Sequence, residues 1–204
     1  MTSILTGDIV NSRKKEDNLW LSLLKNTLQT FGESPKYWQI YRGDSFQLEI
    51  KNPEKALHAA LKIKSQLKSI LNIDVRIGIG IGEKEYSASE ITTANGAAFI
   101  NSGFAFDNLS KKQNLAIKTP WQEIDDELNI AFDLALLTID SWSVNSAEVF
   151  KLSLENKNAT QKEIAQILSI TQGRVSERQK RAGFEPIMKL EKRFRKLINQ
   201  KING

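Results

Sequence analysis

One stretch, residues 73–82, places the tightest limit on how this chain can fold. Every second residue in it is aliphatic, which is the period of a β-strand. The aliphatic face would hold Val75, Ile77, Ile79 and Ile81, and the other face Gly78, Gly80 and Gly82. Glycine inside a strand often marks a place where another segment approaches closely. We therefore expect a sheet that contains this strand, with another element packed very close to its glycine face.

The other segments of residues 1–120 alternate between strand and helix patterns. Strands are predicted at 3–5, 37–41, 46–50 and 115–118, and helices at 17–31, 53–71 and 93–109. The first strand is expected to break at Thr6-Gly7-Asp8, and Arg42-Gly43-Asp44-Ser45 reads as a hairpin turn. The order β-α-β-β-α-β-α-β contains a split βαβ arrangement. It predicts an α+β domain, residues 1–120, whose antiparallel sheet carries helices on one face.

After Pro120 the patterns are helical. A long amphipathic helix from Trp121 to Trp142 is predicted, within a linker of residues 121–155. Residues 156–204 then hold 12 Lys and Arg against 4 Asp and Glu, a net charge of +8, whereas residues 1–155 have a net charge of −3. A solvated basic tail is one interpretation. The basic residues lie on segments with helical periodicity, however, which favours a nucleic-acid-binding face.

Residues 160–178 have the pattern of two short helices that cross. Thr160 and Glu163 form a capping box, and Ser169-Ile170-Thr171 is the turn. The apolar residues that would hold the pair together are Ile164, Ala165, Leu168, Ile170 and Val175. The second helix carries side chains of the types that bond phosphates and base edges, namely Gln172, Arg174, Ser176, Arg178, Gln179 and Arg181.

This stretch resembles the helix-turn-helix of bacterial regulators. The resemblance predicts that residues 156–204 form an all-α DNA-binding domain. The alternative is an ordinary helical hairpin with a solvated basic face. A last helix, residues 187–198, would either extend the DNA contact or pair two subunits.

Two aspartates stand out in the first domain, because each follows a glycine at a turn. They are Asp8, after the first strand, and Asp44, in the hairpin turn. In a split βαβ sheet these two places lie side by side, so the carboxylates should meet. Two carboxylates, a carbonyl oxygen and phosphate oxygens form the oxygen site that Mg²⁺ or Mn²⁺ prefers. The alternative is plain turn chemistry, since Asp beside Gly is common in tight turns.

On these residues the chain resembles class III nucleotidyl cyclases and, more distantly, GGDEF-type cyclases. Nearly the whole chain resembles the SatD-like bacterial family, and Arg42-Gly43-Asp44-Ser45-Phe46-Gln47 is the most specific piece. The resemblance implies a ferredoxin-like, cyclase-type palm followed by a helix-turn-helix, with a metal at Asp8, the Ile9 carbonyl and Asp44. It also implies that the phosphates of a nucleoside triphosphate lie near Val10, Asn11, Ser12, Arg13 and Arg42.

The chain departs from the cyclases in one respect. Active class III cyclases carry an Asn and an Arg on the helix after the fourth strand; Asn101 is the candidate for the Asn, and residues 96–106 contain no Arg. Loss of an arginine that meets transition-state charge costs about 10³–10⁵ in rate. A purine-reading Lys is also missing, because Ile40 stands at its place. Three functions are therefore compatible with the sequence. The chain could be a DNA-binding regulator that senses a nucleotide, a weakly active cyclase or nucleotidyltransferase, or a dimeric scaffold with a dead site.

Composition excludes several other classes of site. The chain has no cysteine, which excludes disulfides and thiolate metal sites, and its single histidine, His58, leaves no partner for a His-based zinc site. No stretch approaches the ~20 apolar residues of a membrane span, and the N-terminus lacks the pattern of a secretion signal. We therefore expect a cytoplasmic protein. A homodimer is implied by the cyclase resemblance, and it suits a module that reads two half-sites.

Overall fold

The computed structural model describes residues 1–12, 19–110 and 113–204. Within these ranges the strands are β1 (Thr2–Val10), β2 (Trp38–Tyr41), β3 (Ser45–Ile50), β4 (Asp74–Gly82) and β5 (Leu115–Lys118). The α-helices are α1 (Leu19–Gln29), α2 (Ala56–Lys68), α3 (Ala97–Asp107), α4 (Gln122–Ile139), α5 (Val144–Glu155), α6 (Gln161–Ile167), α7 (Gln172–Arg181) and α8 (Phe184–Asn203). Short 3₁₀ turns occupy Pro53–Lys55 and Ile91–Thr93.

The five strands form one mixed sheet in the order β2-β3-β1-β4-β5. Strand β1 is central and runs antiparallel to both β3 and β4, whereas β5 runs parallel to β4. The predicted α+β class is confirmed. The predicted break at Thr6-Gly7-Asp8 is wrong, because β1 continues to Val10. Both neighbours bond this segment, with Gly7 opposite Phe46 and Ile77.

Helices cover both faces of the sheet. Helices α1 and α2 share one apolar core with the aliphatic face of β4. Helix α3 packs on the glycine face, where a Cβ on Gly80 would lie only 2.1 Å from the backbone nitrogen of Ser102. The close approach expected at this face is therefore confirmed. The expectation of helices on one face only is wrong, because the glycines leave room for α3 on the other.

Helix α4 closes the sheet at β5. The side chain of Asn129 accepts a hydrogen bond from the Ile117 N–H at 2.9 Å and donates one to the Ile117 carbonyl at 3.0 Å. The amide thus takes the place of a further strand, and the edge is blocked. On its inner side α4 buries Leu128 and Phe132. No helix in the described ranges combines the length and the apolar character that a membrane crossing needs.

A network of buried lysines and partly buried aspartates joins α2, the start of β4 and the end of α4. Lys64 is 2% exposed, and its ammonium lies 2.8 Å from Asp74 Oδ1 and 3.0 Å from Asp140 Oδ1. Lys68 binds the other oxygen of Asp74 at 2.9 Å and also the Asp140 carbonyl. The network ties the sheet to the segment that leads into α5.

The last four helices divide between two apolar clusters. A small cluster lies between α5, α6 and α7, around Val149, Ile164, Ala165 and Val175. Helix α8 instead joins the main core, where the Phe194 ring stacks on that of Phe132 with centroids 6.4 Å apart. The sequence grouped α8 with α6 and α7; α8 contacts α7, which precedes it, and also packs against α2 and α4. The domain limits themselves stay a prediction.

Candidate functional site

A row of four polar residues crosses one end of the sheet. Tyr41 of β2 lies opposite Ser45 of β3, Ser45 lies opposite Asp8 of β1, and Asp8 lies opposite Arg76 of β4. Residues paired across neighbouring strands point to the same side of a sheet. By the alternation along β4 this is the glycine side, which α3 covers.

The two predicted aspartates meet at this row. The Ile9 N–H donates to the Asp44 carbonyl at 3.1 Å, which holds the hairpin against the end of β1. The Ser45 hydroxyl donates to Asp8 Oδ1 at 3.2 Å, and the Ser12 hydroxyl donates to Asp44 Oδ2 at 2.6 Å. The strand order therefore brings the carboxylates together, although 35 residues lie between them in sequence.

The electrostatics of the pair favour a bound cation. Burial raises the pKa of Asp8, and the negative charge of Asp44 raises it further; the Ser45 hydroxyl and the charge of Arg76 act in the opposite direction and only partly offset this. The ionised pair is therefore an unfavourable arrangement without a counter-ion. A divalent cation between the two carboxylates would remove the repulsion.

The donor set fits Mg²⁺ or Mn²⁺ when phosphate oxygens complete it. Within the residues that the structure describes, there is no group of three or more His, Cys, Asp or Glu side chains that could hold a metal ion. Two carboxylates suffice for Mg²⁺, which usually keeps waters and takes substrate phosphates as further ligands. The Ile9 N–H bonds the Asp44 carbonyl, so the backbone of Ile9, whose carbonyl is the third predicted ligand, lies beside Asp44.

The turns that carry the phosphate-binding candidates are unusual in backbone conformation. Asn11 has φ of 65° and Arg42 has φ of 52°, in the left-handed region that non-glycine residues seldom adopt. Such residues cluster at functional sites. Arg42 is exposed at the hairpin tip, and Ser12 is buried against Asp44.

The other predicted phosphate ligands are less clearly placed. Val10 ends β1 opposite Asp74, and the Asn11 amide donates to the Asn72 carbonyl at 3.1 Å, away from the aspartates. Arg13 lies outside the described residues. Of these candidates Ser12 contacts the aspartate pair, whereas Arg42 is exposed in the hairpin turn, two residues before Asp44.

Within one chain, Asn101 does not belong to this row. Its amide donates to the Ile81 carbonyl at 2.7 Å, and Ile81 lies opposite Ser3. Ser3 precedes Asp8 by five residues on β1, which corresponds to roughly 17 Å of strand. The predicted catalytic candidate thus lies at the other end of the sheet, because α3 runs along β4 and Asn101 is in its first half.

Arg76 is a site residue that the sequence reasoning missed. Its guanidinium donates to the Leu109 carbonyl at 3.0 Å and lies 5.6 Å from the centroid of the Phe106 ring. It supplies the fixed positive charge next to Asp8. The signal was present in the alternation of β4, since Arg76 shares a face with Gly78 and not with Val75.

A second candidate surface lies on the α6–α7 pair. Thr160 and Glu163 form the predicted capping box, and Thr171 caps α7 by accepting a hydrogen bond from the Arg174 N–H. Ser169, with φ of 53°, makes the turn between the helices. The five predicted apolar residues pack together, with Ile164, Ala165 and Val175 buried and Leu168 and Ile170 partly buried.

The predicted DNA-contacting residues divide into two groups. Gln172, Arg174, Ser176 and Arg181 are exposed. Gln179 is half-buried, accepts a hydrogen bond from the Gln161 amide at 2.9 Å and donates one to the Ser153 hydroxyl at 2.8 Å. Gln179 therefore joins the three helices instead of facing outward, because it follows the buried Val175 by one helical turn. Arg178 is also half-buried, 3.7 Å from Glu148.

Comparison with known protein families relates the whole chain to one of them. The family model of the SatD family matches residues 3–198, a range that contains both the aspartate pair and the α6–α7 pair. No curated protein and no solved structure matches the chain. Because the family model covers nearly all of the sequence, the chain belongs to the SatD family.

Proposed function

We propose that this protein is a DNA-binding transcriptional regulator whose sheet region binds a nucleotide with Mg²⁺ or Mn²⁺ and acts as a sensor. The observation that carries the proposal is the α6–α7 pair, with its capping box, short turn and shared apolar cluster. A helix-turn-helix places its second helix in the major groove of DNA. Here that helix, α7, buries only Val175 and exposes a basic surface.

The charge of α7 suits this role. Its ten residues include Arg174, Arg178, Lys180 and Arg181 against the single acid Glu177. Basic side chains on an exposed helix neutralise phosphates and release counter-ions, which supplies most of the affinity for DNA. The surrounding segment adds to this, since residues 156–204 carry a net charge of +8.

The aspartate pair supports the sensing half of the proposal. Asp8 and Asp44 repel each other without a cation, and the phosphates of a nucleotide would complete the coordination of one. Ser12 contacts Asp44, Arg42 lies two residues before it in the hairpin turn, and both side chains are of types that bond phosphate oxygens. The missing Arg on α3 argues that such a site binds without rapid turnover.

A weakly active cyclase or nucleotidyltransferase is the second candidate. The meeting of two carboxylates from β1 and the hairpin favours it, because two metal ions held there would activate a hydroxyl and neutralise the leaving pyrophosphate. Asn101 lies far from the pair within one chain. Cyclase-type sites form between two subunits, so a homodimer belongs to both candidates.

The turn that follows β1 offers a route from the aspartates to the DNA-binding helices. Val10 and Asn11 line one wall of a cavity of about 420 Å³, and Ser143 and Val144, at the start of α5, line another. Helix α5 in turn packs on α6 and α7. A shift of the turn on nucleotide binding would thus reach the helices that hold α7.

The first experiment tests DNA binding. Duplexes selected from a random library on the full chain should contain a common sequence, and binding should weaken steeply with salt concentration. Light scattering should report a dimer, and the selected sequence should contain two related half-sites. If no sequence is enriched and the chain does not bind DNA at low salt, the proposal that it is a DNA-binding regulator is overturned.

The second experiment tests the nucleotide site. Thermal unfolding is followed with each nucleoside triphosphate, with and without Mn²⁺, and the solutions are analysed for products. If the protein is a sensor, we expect a metal-dependent rise in Tm with little or no product. If it is an enzyme, we expect a cyclic nucleotide or the product of nucleotidyl transfer. No metal-dependent rise for any nucleotide would contradict both.

A further inference from the structure

We propose that the cleft between α7 and the start of α5 binds backbone phosphates of DNA, so that the arginines of α7 set affinity while Gln172 and Ser176 set sequence preference. The inference rests on the proposed DNA-binding function and divides its residues into two roles. It differs from the sequence prediction, which treated all the polar residues of α7 as one contact surface.

The arginines of α7 lie on one flank of the helix. Arg174, Arg178 and Arg181 follow each other at i, i+4 and i+7, the spacing of side chains that share a helix face. They line a cleft of about 200 Å³, together with Ser143, Asn145, Ser146 and Glu177. A guanidinium presents a planar fork of N–H donors that matches phosphate geometry, and three of them converge on this cleft.

The other wall of the cleft is also favourable to an anion. Helix α5 is 12 residues long and begins at Val144, so the positive end of its dipole points at the cleft. Ser143 caps the helix by accepting a hydrogen bond from the Ser146 N–H at 3.2 Å. The hydroxyl and amide groups of this turn add polar donors opposite the arginines.

Carboxylates within the chain only partly neutralise the arginines. Arg178 lies 3.7 Å from Glu148, and Arg181 is hydrogen-bonded to Glu177. Arg174 makes no ion pair with any residue that the structure describes. Ion pairs between exposed side chains are weak, so a phosphate can replace Glu177 on Arg181 at little cost. Glu177 therefore acts as a competitor for the cleft.

The opposite flank of α7 has a different chemistry. At 3.6 residues per turn, Gln172 and Ser176 lie nearly half a turn away from the arginine row. Both are exposed and uncharged, and both stand in the N-terminal half of the helix, which is the part that reaches base edges in helix-turn-helix modules. A glutamine amide recognises adenine by two hydrogen bonds, whereas phosphate contacts carry no sequence information.

Gly173 and Lys180 lie between the two flanks, on the outward face. A Cβ on Gly173 would meet nothing within 4 Å, so neither packing nor backbone geometry requires glycine there. The outward face is thus open to the close approach of a groove. With α7 in a groove, one flank faces the base edges and the arginine flank faces a strand backbone.

The test uses the selected duplex and a scrambled duplex of the same length, with affinities measured by fluorescence anisotropy over a range of salt concentrations. Arg174→Ala and Arg181→Ala should each lower the affinity for both duplexes by the same factor, about tenfold. Each should also reduce by about 1 the slope of log affinity against log salt concentration, the salt slope. Gln172→Ala and Ser176→Ala should instead lower the preference for the selected duplex and leave the salt slope unchanged.

Two further variants sharpen the result. Glu177→Gln removes the carboxylate that competes for Arg181 and should raise the affinity for both duplexes by the same factor. Lys25→Ala removes an exposed charge on α1, far from the cleft in sequence, and should change neither affinity nor slope. Thermal unfolding of each variant confirms that it is folded before its affinity is interpreted.

The outcomes separate this inference from the proposed function. If the wild-type chain binds neither duplex, the regulator itself is wrong. If it binds, but the arginine variants lose only the preference for the selected duplex, the division of roles is overturned. Inorganic phosphate tests whether the cleft binds a free anion or the DNA backbone. If millimolar phosphate saturates the wild-type cleft and leaves duplex binding unchanged, the cleft is a free-anion site, and the proposed contact with the DNA backbone is overturned.

Discussion

Replacement of Gly80 by alanine tests how closely α3 lies against the sheet. The new Cβ would be 2.1 Å from the Ser102 nitrogen and 2.3 Å from the Ala98 carbonyl oxygen, both backbone atoms of α3. Optimal carbon contacts are ~3.5–4.0 Å, so the helix must move outward by more than about 1 Å. Overpacking of this kind typically costs ~1–3 kcal/mol.

The shift would also disturb a buried hydrogen bond. Thr6 Oγ1 and Ser102 Oγ lie 3.0 Å apart between β1 and α3, and loss of such a bond costs about 1 kcal/mol. The total is roughly 2–4 kcal/mol, which for a chain of this length lowers Tm by about 4–16 °C. Urea unfolding and calorimetry both measure the change.

A matched control lies on α3 itself. A Cβ added to Gly103 would have nothing within 4 Å, so alanine there removes the conformational freedom of glycine without any clash. Gly103→Ala should therefore stabilise the protein by about 1 kcal/mol. An unchanged urea midpoint for Gly80→Ala, or equal shifts of the midpoint in the same direction for the two variants, would refute the close approach of α3 to the sheet.

Four further predictions concern charge, metal binding and backbone. Burial and the neighbouring carboxylate raise the pKa of Asp8, so at pH values above the ordinary pKa of aspartate its ionised form opposes folding. Asp8→Asn should therefore raise the Tm of the metal-free protein at pH 7 and not at pH 3. The same variant should lose the stabilisation by Mn²⁺ and nucleotide, which at 100 times Kd amounts to about 2.7 kcal/mol in the wild type; a retained shift would exclude Asp8 as a ligand. Lys64→Met leaves two carboxylates short of a partner and should cost about 3 kcal/mol in urea unfolding, whereas Lys62→Met, which breaks a longer and more exposed pair, should cost less than about 1 kcal/mol. Gly173→Ala should raise the stability of α7 by about 1 kcal/mol and weaken duplex binding, and unchanged affinity would show that no groove approaches that backbone.

Local patterns in the sequence were sufficient for most of the helices and strands, though not for the end of β1, and the predicted strand order was sufficient for the meeting of the aspartates. The alternation of β4 predicts both a strand and a close neighbour on its glycine face, because side-chain period and glycine size are local properties. The capping box at Thr160 and the spacing of Ile164 and Val175 predict the α6–α7 pair in the same way. The order of the strands brings Asp8 to the hairpin that carries Asp44.

Other features were decided by tertiary structure. Strand β1 runs past Gly7 because two neighbouring strands supply its hydrogen bonds, and a turn-like sequence alone cannot show such partners. Arg76 gains its importance only from lying opposite Asp8, and Gln179 turns inward because Gln161 and Ser153 are there to bond it.

Helix α8 shows the same limit of local patterns most clearly. Its basic and apolar faces are visible in the sequence, but the sequence does not say which surface the apolar face will cover. Long-range packing decides that Phe194 meets Phe132 of α4 and not the cluster under α7. An amphipathic pattern specifies that one face of a helix is buried. The surface that covers this face is specified only in the folded chain, because folding brings surfaces that are distant in sequence together.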